Sequence, residues 1–165
     1  MVAHNNANKV IKPVPGARFL VVEARFYSDI ADELLKGVRS ALEEAKAQFD
    51  VLTVDGALEI PATVMIALDA AETAGKAYNG VVTLGCVVRG ETGHYDIVAG
   101  ESARALMDIS VLRRIPLANG IITVENMEQA WERARTDRMN KGRGAVEAAL
   151  AVLHIKQSFY THSSN

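Results

Sequence analysis

Four short apolar runs, separated by stretches with helical periodicity, constrain the fold of this chain more than any other feature of its sequence. Each run is rich in β-branched residues and is bounded by Gly, Pro, Asn or Asp, a pattern that predicts parallel strands covered on both faces. Helices are predicted over residues 29–48, 61–73 and 96–114, with two more after the last strand. The strands are predicted at RFLVVEA (18–24), FDVLTV (49–54), GVVTLGCVV (80–88) and IPLANGIIT (115–123).

The alternation of strands and helices predicts an α/β fold, a three-layer α/β/α sandwich around a four-stranded parallel sheet. The chain has 165 residues, a length that suits one domain. We expect that domain to span residues 18–165, after a flexible N-terminal tail over residues 1–17. Ser28 or Asp29 is predicted to cap the first helix, and Pro61 fits the first turn of the second helix.

The charge and the cysteine content of the chain restrict the classes of partner that it can bind. The formal net charge is −2, so the sequence has no basic surface for nucleic acid or for an anionic membrane. No apolar run approaches the roughly 20 residues that a membrane-spanning helix needs. The lone Cys86 excludes an intramolecular disulfide, and no His/Cys cluster suggests a metal site. We therefore expect a cytoplasmic protein whose partners are small molecules.

Ligands of open parallel sheets bind beyond the carboxyl ends of the strands, so the loops that follow the strands are the candidate site. After the first strand, Phe26 and Tyr27 are either core contacts or aromatic rings that stack on a flat ligand. After the second strand, Gly56 permits a tight turn and Glu59 precedes Pro61. That segment is either an ordinary β–α loop or one whose backbone groups bind the edge of a heterocycle.

The third strand runs into GCVVRGETGHYDIV (85–98), where an apolar strand becomes polar within a few residues. Gly90, Glu91 and Thr92 precede a helix, and the unpaired N–H groups of a helix N-terminus favour an anion such as phosphate. His94 is either a structural histidine or a general base suited to neutral pH. The loop carries neither a Walker motif nor a dinucleotide fingerprint.

The helix after the fourth strand and the segment that follows it carry several cations, of which Arg133 and Lys141 are the candidates for the site. Most such residues are solvated, but these two can also reach a phosphate or a developing negative charge. Trp131 is predicted to lie in the core or in an interface rather than in a site.

Five segments, in order and at consistent spacing, resemble the lumazine synthase family. The resemblance covers residues 18–159, and the segments are RFYSD, GALEIP, LGCVVRGETGHYDIV, GIITVENMEQA and NKG. It implies a flavodoxin-like sandwich and a homopentamer whose active sites lie between adjacent subunits. It also implies the condensation of 5-amino-6-(D-ribitylamino)uracil with 3,4-dihydroxy-2-butanone 4-phosphate. The products are 6,7-dimethyl-8-ribityllumazine, phosphate and water, and no metal or redox cofactor takes part.

The resemblance also assigns roles to individual residues. His94 matches the proton-transfer residue and Phe26 the aromatic that stacks on the pyrimidine ring. The other matched positions are the ribityl and ring-edge segment Ala57, Leu58 and Glu59, the ring neighbours Val87 and Val88, the phosphate cradle Glu91 and Thr92, and, from the neighbouring subunit, Asn119, Arg133 and Lys141.

This sequence departs from the family pattern in two ways. Asn119 and Leu58 stand where many relatives carry an aromatic residue, so the ring is held by less π surface. NKGRGAVEAAL also has about three more residues than the common arrangement, so the acidic residue that often follows NKG is either displaced to Glu147 or absent. Because the segment before NKG lacks the glycine-containing turn of relatives that build capsids of about sixty subunits, we expect an isolated pentamer.

Two alternatives to a synthase stay open at this point. One is a catalytically weak paralogue that binds riboflavin or lumazine; the intact His94, Arg133 and Lys141 argue against it. The other is a flavodoxin-like electron carrier, which is disfavoured because no Ser/Thr-rich loop follows the first strand to hold a flavin phosphate.

Overall fold

A four-stranded parallel sheet in the order β2-β1-β3-β4 forms the centre of the protein. The computed structural model describes residues 9–161. All four predicted strands are confirmed, each with its ends within two residues of the prediction. The strands are β1 (Arg18–Ala24), β2 (Gln48–Val54), β3 (Gly80–Val88) and β4 (Leu117–Val124).

Helices cover both faces of this sheet and so confirm the three-layer sandwich. One buried cluster joins the sheet to α1, α4 and α5, and a second joins its other face to α2 and α3. None of the helices within residues 9–161 has the length and apolar character needed to cross a membrane. The helices are α1 (Ser28–Glu44), α2 (Ile60–Thr73), α3 (His94–Arg113), α4 (Met127–Ala134) and α5 (Lys141–Tyr160), with a 3₁₀ turn at Ala57–Glu59.

Strand β2 does not fit the expectation that every strand is buried on both faces. Its residues range from half-buried to exposed along its whole length, whereas β1 is buried from its second residue onward. The reason is position, because β2 is an edge strand with a neighbour on one side only. Leu52 remains 39% exposed there.

The ends of the helices correct two predictions and confirm one. Tyr27 is the N-cap residue of α1 and no side chain caps that helix, so the assignment of the cap to Ser28 or Asp29 was wrong. Helix α1 ends at Glu44 rather than at residue 48, because Lys46 adopts a left-handed conformation with φ 55°. Pro61 lies in the first turn of α2, as predicted.

The segment before β1 packs on the domain. Ile11, Val14 and Ala17 are buried in the cluster shared by α1 and α5. The Val14 amide donates to the carbonyl of Ala45 at 2.8 Å. Residues 9–17 therefore belong to the packed domain rather than to the predicted flexible tail, because their apolar side chains supply part of its core. Residues 1–8 of that predicted tail lie outside the described residues.

Helices α1 and α5 approach closely at the NKG segment. A Cβ on Gly142 would overlap the carbonyl oxygen of Leu34 and lie 3.3 Å from the amide of Val38. Asn140 is the N-cap of α5 in a left-handed conformation, and its Oδ1 accepts the amide of Arg143 at 3.2 Å. The segment thus begins α5 and fixes it against α1.

Candidate active site

A cleft of about 510 Å³ opens at the carboxyl ends of β1, β2 and β3, beside the first turn of α3. The strand order reverses between β1 and β3, and such a topological switch point is where ligands of open α/β sheets bind. The cleft is lined by eight of the residues predicted for the site: Phe26, Ala57, Leu58, Glu59, Val87, Val88, Thr92 and His94.

The first wall of the cleft carries an exposed aromatic ring. Phe26 is 76% exposed, and its ring meets the edge of Tyr27 at a centroid distance of 5.0 Å and an interplanar angle of 70°. The loop is held by Arg25, which contacts the buried carboxylate of Glu23 at 3.1 Å and also pairs with Asp32. Because Phe26 contributes little to the core, its face is available for stacking on a flat ligand.

The second wall is the short turn after β2. Ala57 is buried, whereas Leu58 and Glu59 are exposed. A Cβ on Gly56 would lie 2.7 Å from Oε2 of Glu59, so glycine lets this carboxylate approach the backbone. The Thr63 hydroxyl donates to the carbonyl of Glu59 at 2.8 Å and secures the end of the turn.

The third wall is the end of β3, which is apolar. Val87 is buried and Val88 half-buried. Cys86 also faces the cleft, and burial raises the pKa of its thiol to about 11. This thiol is therefore neutral at physiological pH, and the wall it shares with the valines suits the uncharged face of a ring.

The first turn of α3 closes the cleft with hydrogen-bond donors. Gly93 is the N-cap of this 20-residue helix, and no side chain caps it. Thr92 offers a hydroxyl that accepts the His94 amide at 3.4 Å. Helix N-termini favour anions because their amides are unpaired and the helix dipole is positive there. Glu91 lies in the same loop but is exposed and does not line the cleft.

Arg89, which directly follows β3, forms its contacts within its own chain. Its Nε donates to Oε2 of Glu125 at 2.9 Å, and its Nη1 lies 3.5 Å from Oδ1 of Asp96. The guanidinium carbon lies 4.0 Å from the ring centroid of Tyr95. Arg89 therefore organises the loop rather than lining the cleft.

The remaining three predicted residues lie outside this cleft. Asn119 lies in β4, and its Oδ1 accepts the amide of Ile121 at 2.9 Å. Arg133, in the last turn of α4, donates to the carbonyl of Gln129 at 3.2 Å. The cleft of one chain thus does not include the second group of matched residues.

Arg133 and Lys141 form what we term the cationic pair. Burial, with a smaller contribution from the charge of Arg133, lowers the pKa of Lys141 below its ordinary value. Within residues 9–161 neither cation forms an ion pair with a carboxylate. Two adjacent cations without a counter-ion are a suitable contact for an anionic group.

Sequence reasoning missed four residues that line the cleft: Asp55, Cys86, Tyr95 and Val98. The alternation of side chains along β3 could have indicated Cys86, which lies two residues before Val88. Helical spacing could have indicated Val98, which lies four residues after His94 in α3. No group of three or more His, Cys, Asp or Glu side chains suited to a metal ion occurs in the part of the chain that the structure describes.

The fold and the cleft together place the chain in one class of protein, the flavodoxin-like α/β proteins with a small-molecule site at the topological switch point. A family model described as 6,7-dimethyl-8-ribityllumazine synthase matches residues 16–157. The chain therefore belongs to that family, which confirms the predicted enzyme class, a transferase of riboflavin biosynthesis.

Individual relatives support this membership along almost the whole chain. The 6,7-dimethyl-8-ribityllumazine synthase of Methylobacterium radiotolerans is 62% identical over 161 residues, which are 95% of both chains. That of Methylorubrum extorquens is 60% identical over 154 residues, 93% of this chain and 89% of the relative. The 6,7-dimethyl-8-ribityllumazine synthase 1 of Rhodopseudomonas palustris is 62% identical over 144 residues, 87% of this chain and 88% of the relative.

Proposed function

We propose that this chain condenses 5-amino-6-(D-ribitylamino)uracil with 3,4-dihydroxy-2-butanone 4-phosphate to give 6,7-dimethyl-8-ribityllumazine, phosphate and water. The observation that carries the proposal is the convergence of eight residues, matched by motif alone, on one cleft at the switch point. An apolar wall, an exposed ring and a helix N-terminus suit a flat heterocycle and a phosphorylated partner held side by side.

In this proposal the cleft orients the pyrimidine. Phe26 stacks on one face of the ring, and the ends of Val87 and Val88 contact the ring from β3. The turn Ala57–Glu59 binds the ring edge and the ribityl chain through its backbone groups and the Glu59 carboxylate. Because both substrates are already reactive, much of the acceleration comes from holding them together in a productive orientation.

The phosphorylated substrate lies at the first turn of α3. The backbone amides of this turn and the hydroxyl of Thr92 bind the phosphate. Arg133 of a neighbouring subunit contacts the same phosphate, with Lys141 beside it, and stabilises the negative charge as phosphate leaves. Asn119 lines the far side of the ring from that neighbour.

His94 performs the proton transfers. The primary amine of the pyrimidine adds to the ketone, and the resulting carbinolamine loses water to give an imine. A proton then leaves the adjacent carbon while the C–O bond to phosphate breaks, and the resulting enol gains a proton at its terminal carbon to become a methyl ketone. The ribitylamino nitrogen adds to this ketone, and loss of a second water completes the product. An imidazole at the start of α3 is placed to accept and return these protons near neutral pH.

This division of residues requires an oligomer, and we propose a homopentamer with sites between adjacent subunits. The location of Arg133 and Lys141 outside the cleft of their own chain supports sharing. The longer NKGRG segment supports an isolated pentamer rather than a capsid. A molar mass near that of sixty chains, measured by light scattering, would refute the isolated pentamer. A cytoplasmic location is supported by the lone cysteine and by a phosphorylated substrate.

The activity is tested by following lumazine absorbance with both substrates present and subtracting the uncatalysed condensation. Acceleration by the purified protein is the expected result. A folded oligomer that gives no acceleration refutes the proposed function.

Sharing of the site is tested by mixing two variants. One carries Phe26→Ala with His94→Ala, which removes the cleft's function, and the other carries Arg133→Ala, which removes the neighbour's contribution. In rings assembled at random from equal amounts, about one quarter of the sites pair an intact cleft with an intact neighbour. Recovery of about one quarter of wild-type activity after co-refolding supports sharing, and activity no higher than the mean of the separate variants refutes it.

A further inference from the structure

Arg89 connects three elements at the edge of the cleft. Its backbone amide continues the ladder from β3 by donating to the carbonyl of Val124 at 2.9 Å. Its side chain contacts Glu125, which directly precedes the N-cap of α4, and Asp96 in the first turn of α3. The ring of Tyr95, which lines the cleft next to His94, lies under the guanidinium.

The loop that Arg89 begins has little else to hold it. A Cβ on Gly90 or Gly93 would meet no atom within 4 Å, and residues 90–93 are exposed. The one side-chain hydrogen bond that those residues form within residues 9–161 is local, from the His94 amide to Thr92. Tyr95 and Val98 also pack on the apolar cluster beneath α3, and the contacts of Arg89 with Tyr95 and Asp96 add a direct link from the end of β3 to the first turn of α3.

We propose that Arg89 is a positioning residue that holds the first turn of α3 where its amides meet the phosphate of the substrate and where His94 faces the reacting carbons. The inference rests on the proposed function of the cleft. Arg89 itself contacts no substrate; it acts through Tyr95 and Asp96 on the turn that does.

The exposure of Arg89, Glu125 and Asp96 predicts that replacing Arg89 changes the kinetics of the enzyme rather than its stability. The side chains of Arg89, Glu125 and Asp96 are 40%, 58% and 67% exposed, and exposed ion pairs contribute little to folding free energy. A small displacement of a binding group, by contrast, changes rates strongly, and a shift of about 1 Å is worth up to roughly a hundredfold. The first turn of α3 binds the phosphate and does not contact the pyrimidine, so the two substrates should respond differently.

The experiment measures kcat and both KM values for Arg89→Ala, Arg89→Lys and the control Arg113→Ala. Arg113 anchors the other end of α3 to Asp69 and Glu72 of α2, each at 2.8 Å, so its loss perturbs the same helix away from the cleft. For Arg89→Ala we expect the KM of the phosphorylated substrate to rise roughly tenfold and kcat to fall severalfold, with the pyrimidine KM within about twofold of wild type. Inhibition by inorganic phosphate should weaken by the same roughly tenfold factor.

The conservative variant separates positioning from a purely structural role. Arg89→Lys keeps a cation near Glu125 and Asp96 but loses the planar fork, so it should recover part of the phosphate affinity. Arg113→Ala should leave both KM values unchanged even where it lowers the unfolding temperature.

The outcomes distinguish this inference from the function on which it rests. A wild-type protein without activity refutes the proposed function. An active wild type with unchanged phosphate KM and phosphate inhibition in Arg89→Ala refutes the positioning role, as does an equal rise in both KM values. If Arg89→Ala does not fold, Arg89→Lys provides the same test, because it weakens the contact with Tyr95 without removing the charge balance.

Discussion

Replacing Gly142 with alanine tests the packing that fixes Lys141. Gly142 lies in the first turn of α5, where the helix crosses the backbone of α1 without an intervening side chain. An added Cβ would overlap the carbonyl oxygen of Leu34 and approach the Leu34 carbonyl carbon to 3.1 Å. Because the obstructing atoms are backbone, no side-chain rotation relieves the overlap, and the two helices must separate.

The change in unfolding free energy expected for Gly142→Ala follows from two opposing contributions. Overpacking in a close-packed core costs about 1–3 kcal/mol, and a collision with backbone belongs at the upper end of that range. Alanine gains about 1 kcal/mol over glycine in a helix interior. The net loss is about 2 kcal/mol, which for a chain of this length lowers the unfolding temperature by about 4–8 °C.

Gly144 supplies a matched control two residues further along the same helix. A Cβ there meets no atom within 4 Å, so Gly144→Ala should gain stability of about 0.5–1 kcal/mol from helix propensity alone. Thermal and denaturant unfolding of both variants measure the difference. Equal effects of the two substitutions, or a Gly142→Ala protein as stable as wild type, would show that α5 does not lie against the backbone of α1 at Gly142.

Four further expectations follow from the site and its surroundings. His94→Ala should slow turnover by about a hundredfold but leave it measurable above the uncatalysed rate; complete loss in a folded variant contradicts a role mainly in proton transfer. Phe26→Ala should raise the pyrimidine KM roughly tenfold while unfolding free energy changes by less than about 0.5 kcal/mol, because the ring is exposed. The neutral thiol of Cys86 should react with iodoacetamide at pH 8 far more slowly in the folded protein than after denaturation, as followed by mass spectrometry. The hydrogen bond from Tyr78 holds the pKa of Asp50 below its ordinary value. The ionised Asp50 therefore stabilises the fold above the pKa of the unfolded state, and this stabilisation is lost as the pH falls through the folded pKa. The destabilisation caused by Asp50→Asn should therefore shrink from pH 7 to pH 3.

Hydrophobic periodicity predicted the strands well because β1, β3 and most of β4 are buried and therefore mainly apolar. The errors lie where local backbone geometry decides. Helix α1 ends through Lys46 in a left-handed conformation, where glycine is the usual signal. The N-terminal segment was misassigned because Ile11 and Val14 are separated by polar and proline residues, a pattern that neither strand nor helix periodicity detects. Their burial depends on the surface that α1 and α5 present to them.

The cleft was predictable for a topological reason. Parallel strands bring their carboxyl ends to one edge, so Phe26, Glu59 and Thr92 were placed together by strand positions alone. Tyr95 was missed because it enters the cleft from the first turn of α3, and the orientation of that turn relative to the sheet depends on tertiary packing that strand positions do not determine.

The proposed second half of the site has no such topological signal within one chain. Arg133 and Lys141 belong to different helices, and nothing in their spacing brings them to the switch point. Only the family resemblance assigned them to the site, and the structure adds that neither forms an ion pair with a carboxylate within residues 9–161. A site divided between subunits leaves each chain with two incomplete surfaces, and sequence patterns describe one chain.

The NKG motif shows how packing constrains Lys141, a residue that we propose to act in the site of a neighbouring subunit. Asn140 begins α5 with its own side chain as a cap, and Gly142 fixes the helix against the backbone of α1. Lys141 lies between these two constraints, so it cannot shift along the helix or away from α1 without breaking one of them. Asn126 does the same for α4, where its Oδ1 accepts the amide of Gln129 at 2.9 Å and the Gln129 side chain accepts the amide of Glu125 in return. The caps of α4 and α5 thus hold both helices in place, which is what the proposed sharing of the site between subunits requires, because the cleft of one chain cannot itself orient the cations of another.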